Sequence, residues 1–426
     1  MSWTLLGPLP RLSIVRGRDF NPGLKELVVT TRAHIAAKKV AYWMLLSTFT
    51  ATTTIAAAQP AAITSAVPTA ATVAVPTPAA ATAPGTPKPN QAALVEATSS
   101  LSQIPAAWAT AMHAIVEDPP PPELVRDTHY IVSNESRQDL FKDSIAAHGG
   151  ALLGVGSDQN YLLAGWSRPE LLILFDFDQV VVNVHRVYRA FFLNAATPEA
   201  FRRLWDPKNE AEALAIIDAT YKEKEPARLP YVVRAYRMAR HSVPRRLSAV
   251  LTTQKGLGVR SFLDDQAQYD YIVQLFRTDR VYMVRGDLAS GGCLSSIAAA
   301  LTPLGIKVRV VYLSNAERYF PYIPGYKKSM LALPVDDQTV ILRTRAKRDG
   351  VYEYLTQDAS NFRSWLEQRN ITVAVQMTRH REAVPVAVTA VLAKVRATPT
   401  DGTAASPPVP ALFVIRKVPG KASATP

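Results

Sequence analysis

The chain has 426 residues, one cysteine, 32 prolines and a formal net charge of +13. A single cysteine excludes an intrachain disulfide and a cysteine-built zinc site. The charge divides as +5 in residues 1–58, zero in 59–105, +6 in 106–396 and +2 in 397–426. The folding part is thus only mildly basic, its Lys and Arg are scattered apart from short runs at 234–246 and 343–348, and this argues against a nucleic-acid interface.

In chain order, residues 1–31 show no periodicity and read as a segment upstream of the true start. Arg32, Lys38 and Lys39 precede a threonine-rich apolar stretch from Val40 to Ile55, and Ala56-Ala57-Ala58 follow. That order is the n-region, h-region and small-residue cleavage site of an export signal. It predicts a periplasmic or extracellular protein with no stable membrane span once cleaved, or a cytoplasmic one if the segment is not used. Residues 59–105 are an Ala/Pro/Thr spacer that cannot bury enough apolar surface to fold.

Residues 106–396 read as one α/β domain. A helix over 104–117 runs into Pro119–Pro122. Ala151–Val155 is a short buried strand opening into Gly156-Ser157-Asp158-Gln159-Asn160, and Leu171–Phe175 is a second strand ending at Asp176-Phe177-Asp178. Val181, Val184, Val187 and Phe191 share one helical stripe. Thr197 before Pro198 starts another helix, and 197–277 reads as a helical insertion. Strands follow at 280–287, 307–313, 338–343 and 371–377, separated by helices at 290–304 and 361–368; one added strand is expected at 411–418. The alternation implies a Rossmann-like, mostly parallel sheet with helices on both faces.

Asp158, Asp176, Asp287 and Asn315 each fall just past a predicted strand's C-terminal end. In open α/β sheets that edge holds the ligand, near the switch in strand order. Gly154 and Gly156 allow close backbone approach there, and Asp176 is positioned to accept hydrogen bonds from ribose hydroxyls. The expectation is a single crevice containing Gly156, Asp176, Asp287 and Asn315. The bland alternative is a tight turn with helix-capping acids. His185, on the helix after Asp176, is either a general base or a buried histidine. The run Arg234, Arg237, Arg240, His241, Arg245 and Arg246 is either an anion clamp or a solvated helix face. Cys293, at a helix start, is either an activated thiol or, the favoured reading, a packed small residue.

Ser133-Asn134-Glu135, Gly154-Val155-Gly156-Ser157-Asp158-Gln159-Asn160-Tyr161, Asp176, the 185–192 helix, Gly286-Asp287-Leu288 and Ser314-Asn315-Ala316-Glu317 resemble an uncharacterised bacterial family that includes hypothetical proteins of Leptospira and myxobacteria. The resemblance spans roughly residues 123–345. It implies a methyltransferase-like Rossmann fold, with S-adenosylmethionine as the candidate cofactor. On that resemblance Gly154 and Gly156 stand at the cofactor loop, Asp176 at the ribose-contacting acid and Asp287 at the adenine-side acid; Asp158, Gln159, Asn160 and Asp178 are further ligand-binding candidates. Ser314, Asn315 and Glu317 form the fourth-strand substrate motif, and Asn134 with Glu135 reach the site. Its catalytic candidates are His185, Asn315 and Glu317, with no metal. The loop lacks the leading acid and third glycine of the usual methyltransferase pattern. Leu171–Asp178 also resembles the first motif of haloacid-dehalogenase-type phosphatases, which would make Asp176 a nucleophile and Asp178 a general acid around Mg²⁺. Lys327 or Lys328, and Asp336-Asp337, would complete that set. A third reading is a non-catalytic domain that binds a small molecule at the same edge. Protein partners are left open.

Overall fold

The computed structural model describes residues 101–347, 351–384 and 411–416. Residues 1–31, the export signal expected at 32–58 and nearly all of the stretch 59–105 lie outside the described residues, as does the tail apart from 411–416.

Helix α1 (Ala106–His113) leads through the proline step to a 3-10 turn at Gln138–Phe141 and the short α2 (Lys142–Ile145). Then β1 (Ala151–Val155), α3 (Gln159–Ser167), β2 (Leu171–Asp176) and α4 (Gln179–Asn194) alternate. The helical insertion comprises α5 (Pro198–Leu204), α6 (Glu210–Tyr221), α7 (Leu229–Ala239), α8 (Ser242–Gly256) and α9 (Gln266–Arg277). It returns to β3 (Val281–Arg285), followed by α10 (Gly292–Leu301), β4 (Val308–Tyr312) and α11 (Pro324–Ala332). The rest is β5 (Val340–Ala346), β6 (Tyr352–Asp358), α12 (Ala359–Leu366), α13 (Ala374–Thr378), β7 (Arg381–Ala383) and β8 (Ala411–Ile415).

The strand order is β3-β2-β1-β4-β5-β6-β8-β7. Strands β1 to β5 are mutually parallel, β6 runs antiparallel to β5, and β8 is parallel to β6. Winding proceeds outward from β1 to β3, then returns across β1 to β4 and β5. The switch point therefore lies between β1 and β4, and the crevice between their C-terminal ends is where this fold takes ligands.

Alternation along the strands sorts two cores. Leu152, Leu172 and Leu174 face the core shared with α4 and the insertion; Leu153, Ile173 and Phe175 face the core built with α10 and α11. Both faces of β1 and β2 are covered, which is why these strands read as continuous apolar runs. The α4 stripe is buried as its spacing predicts, and Phe192 stacks on Phe201 of α5 at 4.4 Å between centroids. Thr197 caps α5 by accepting from the Ala200 amide, with Pro198 in the first turn. Among the described residues no helix is long and apolar enough to cross a membrane.

Two expectations need correction. Residues 371–377 are not a strand: the Gln376 side chain accepts from the Thr372 and Val373 amides and starts α13. Two strands are unpredicted, the short β7 and β6, whose buried Glu353 and Gln357 disguise it; Arg345 and Arg381 pair with the first, and Arg343 and Asn361 bond the second.

Candidate functional site

The loop after β1 is closed by its own side chains. Gly156 has φ +91°, a region that favours glycine. Gln159 folds back so that its Nε2 donates to Val155 O at 3.2 Å and its Oε1 accepts from the Ser157 amide at 3.2 Å. Asn160 Nδ2 donates to Val155 O and Ser157 O at 3.2 and 3.3 Å. A Cβ on Gly154 would stand 2.0 Å from Asn160 Oδ1, and one on Gly156 would stand 2.4 Å from Gln159 Nε2. The space above both glycines thus belongs to Asn160 and Gln159, and the Ser157 amide is already taken. This corrects the expectation that the glycines open the backbone to a ligand. Gly154→Ala should lower stability by about 1–3 kcal/mol through overpacking. Urea denaturation would show it as a lower midpoint at unchanged slope; an unchanged midpoint would mean Asn160 has somewhere else to go.

Beyond that loop lies a cavity of about 390 Å³, within the range of small-molecule sites. It sits at the switch point and is lined by Asn134, Gly156, Gln159, Asp176, Ser314 and Asn315, with Tyr130, Val132, Val155 and Phe177 as apolar or aromatic wall. Asp176 accepts from the Asp178 amide at 2.8 Å. Burial pushes its carboxyl up to about 7, against the opposing pull of backbone donors and with a smaller push from Asp178.

The far wall is fixed by Glu135, which is buried. Its carboxylate accepts from Ser314 Oγ at 2.7 Å and Gln138 Nε2 at 3.2 Å, and from the Tyr312 and Thr344 hydroxyls. Glu135 is therefore a positioning residue rather than a ligand contact: it holds Ser314, whose φ is +51°, at the end of β4. Ser314 and Asn315 also line a second, larger cavity of about 830 Å³ beside β5. Arg318, Arg345 and Lys347 line it too, with Phe320, Val373 and Val375, and Glu317 is the one carboxylate among its described lining residues. That carboxylate pairs with Arg343 Nε at 2.7 Å and accepts from Tyr326 OH at 2.7 Å and from Tyr322 OH, so it is held as the counter-charge of a buried arginine.

Several other expected site residues serve structure. His185 is fully buried: Nε2 meets Gly156 O at 2.8 Å, and Nδ1 meets Tyr161 OH at 2.9 Å. Burial lowers its pKa to about 4 despite the Gly156 contact, so it is neutral, with its Nε2–H donating to the carbonyl and no nitrogen left for catalysis. Asp158 is buried under the insertion, paired with Arg246 at 2.8 Å and accepting from the Ser133 amide. Asp178 caps α4 through the Val180 amide and pairs with His129 at 2.7 Å. Asp287 does not join the crevice: it accepts from the Ala289 amide, and its own amide donates to Asp118. The same Asp118 accepts from the Cys293 amide, and burial pushes the Cys293 thiol up to about 12, so this thiol is packed and inert.

The phosphatase constellation is not assembled. Asp336 pairs with Arg309 near the start of β1, at the opposite end of the sheet from Asp176, and Lys327 donates to Gln368 O. Among the described residues no group of three or more His, Cys, Asp or Glu side chains is placed to hold a metal. The basic run 234–246 is dispersed, with Arg246 on Asp158 and Arg240 on Glu210. Arg318, which borders both cavities, escaped the sequence reading because nothing in its local pattern distinguishes it from a solvated cation; Lys347, which also borders both, was met only as part of the basic run 343–348.

Comparison with known proteins adds little chemistry. No curated protein matches the chain. Among solved structures, an rRNA methyltransferase, aviRa from Streptomyces viridochromogenes, aligns at 13% identity over 59% of this chain and 86% of its own, with a TM-score of 0.22, too low to carry an argument. A family model does match, across residues 130–393, which takes in β1 to β7 and both cavities. The chain therefore belongs to the family described as a domain of unknown function, DUF7790.

Proposed function

We propose that the crevice at the β1/β4 switch point binds a nucleoside-bearing small molecule, with S-adenosylmethionine the first candidate, and that the adjoining cationic cavity receives its reaction partner. The observation that carries this reading is the meeting of the two cavities at Ser314 and Asn315, with the Asp176 carboxyl in the first, Arg345 in the second, and Arg318 and Lys347 bordering both. A carboxyl at the end of the second strand suits ribose hydroxyls, and Tyr130, Val132 and Phe177 suit a base. The loop after β1 spends its Gly156 and Ser157 amides internally, on Phe175 O and the Gln159 side chain, so recognition falls largely on the walls. Bound S-adenosylmethionine would supply an electrophilic methyl group. The contribution of this chain would be to bind and orient it, with Glu135 holding the Ser314 wall in place.

Calorimetric titration of the purified chain with S-adenosylhomocysteine should give micromolar affinity. Asp176→Ala should weaken it at least about tenfold, the loss expected when a hydrogen-bonded buried partner is removed. Asp287→Ala should leave it unchanged. Absence of heat with S-adenosylhomocysteine, S-adenosylmethionine and adenosine alike would refute the reading. The export signal proposed for residues 32–58 bears on the ligand's identity, because exported compartments are not supplied with S-adenosylmethionine. A mature N-terminus at Gln59, read by mass spectrometry, would favour another nucleoside-bearing ligand or a binding role without turnover.

A further inference from the structure

A separate cavity of about 360 Å³ lies along the free side of β3, between α4 and the start of α7. Three arginines line it: Arg186 and Arg189 from α4, and Arg228. Its carboxylates are already engaged. Glu225 is shared by Arg189 at 2.7 Å and Arg228 at 3.2 Å, Asp279 pairs with His113 at 3.1 Å, and Glu117 accepts from the Arg285 amide.

Arg186 is left over. Only 5% of it is exposed, its Nη1 donates to Asn183 Oδ1 at 2.6 Å, and its Nε has no hydrogen-bond partner among the described residues. The other buried arginines are provided for. Arg137 forks onto Asp139, Arg343 pairs with Glu317, and Arg280 donates to the carbonyls of Ser102 and Glu170. A buried guanidinium without an adjacent anion is strongly disfavoured. Its pKa is held down to about 10, first by burial and then by Arg228, against a weaker opposing pull from Tyr221 and from Glu117 and Glu225, which touch other groups. Arg228, about half exposed, and Arg189, about a third exposed, form an accessible rim.

We propose that this cavity is a binding site for a doubly charged oxyanion, either inorganic phosphate or the phosphate end of a phosphomonoester, which supplies the counter-charge that Arg186 lacks. A tetrahedral dianion held in the cavity can accept from the rim guanidiniums of Arg189 and Arg228 while its charge lies against Arg186. The proposal does not depend on the nucleoside reading of the crevice, since Arg186 borders neither of the two cavities there.

The test is thermal unfolding of the full chain in phosphate and in sodium chloride of equal ionic strength. Phosphate at 10 mM should raise Tm by roughly 4 °C over chloride, saturably, as expected for a sub-millimolar site. Arg186→Met should abolish that rise and melt in chloride at or above the wild-type temperature, because it removes an uncompensated charge. Should Arg186→Met not fold, Arg228→Gln at the rim should shift the phosphate midpoint about fivefold upward. Glycerol 3-phosphate distinguishes the sources: tighter binding than phosphate assigns the phosphomonoester, weaker binding the free ion. A rise no larger than in chloride would overturn the site, as would a rise retained in Arg186→Met. An Arg186→Met chain that melts lower in chloride would also overturn it, since Arg186 would then be compensated within the fold.

Discussion

Arg343→Met should lower the unfolding free energy by about 3–5 kcal/mol, the cost of leaving a buried charge without its partner. Arg343 is 2% exposed and Glu317 4%, so water screens neither. The guanidinium also donates to Gln357 and lies 5.0 Å from the Phe362 ring centroid. With Arg343 gone, the Glu317 carboxylate keeps only the Tyr322 and Tyr326 hydroxyls. Glu317→Gln should be similarly costly, because it strands the arginine. The double variant Glu317→Gln/Arg343→Met should recover much of the loss, since no charge then remains buried. Urea denaturation of the four proteins closes the cycle. Additive single effects would show that the two side chains do not act as a pair.

Asp176→Asn should change how stability depends on pH, with a span of about 4 kcal/mol. The folded carboxyl titrates near 7 against 3.8 unfolded, and each pKa unit corresponds to about 1.4 kcal/mol. Between about pH 4 and 7 the native state keeps a proton that the unfolded chain has released. The contribution of Asp176 is therefore fully present below pH 4 and is lost as pH rises through 7. His185 works in the opposite sense. Its folded pKa near 4 lies below the 6.5 of the free side chain, so its contribution is present above pH 6.5 and is lost as pH falls through 4. In the wild type the two slopes oppose each other over pH 4–6.5. Asp176→Asn removes one and exposes the other, so the variant should gain on the wild type from pH 4.5 to about 7 and level off by pH 8. Urea midpoints at pH 4.5, 6 and 8 decide it, and parallel profiles would place the Asp176 carboxyl in an ordinary solvated setting.

The parallel half of the sheet was legible because its strands are buried on both faces, which leaves uninterrupted apolar runs at Ala151–Val155 and Leu171–Phe175, and one broken only by Arg309 at Val308–Tyr312. The antiparallel half was harder. β6 buries Glu353 and Gln357 against arginines, a pattern that local hydropathy reads as a loop. Residues 371–377 alternate like a strand, yet Val373 and Val375 are exposed, and the chain turns into a helix because Gln376 can cap it. Of the four polar residues placed at strand ends, the geometry brings Asp176 and Asn315 to one cavity and turns Asp158 and Asp287 elsewhere. What diverts those two is remote: Arg246 lies 88 residues from Asp158, and Asp118 lies 169 residues from Asp287. No local pattern encodes partners at that distance.

The glycine pair after β1 is best understood through what occupies the room it leaves. Gly154 is bare so that the amide of Asn160 fits, and Gly156 so that the amide of Gln159 does. Glycine and carboxamide are thus two halves of one packing unit, spaced six and three residues apart. Among relatives, a side chain gained at one half should be tolerated only with volume surrendered at the other.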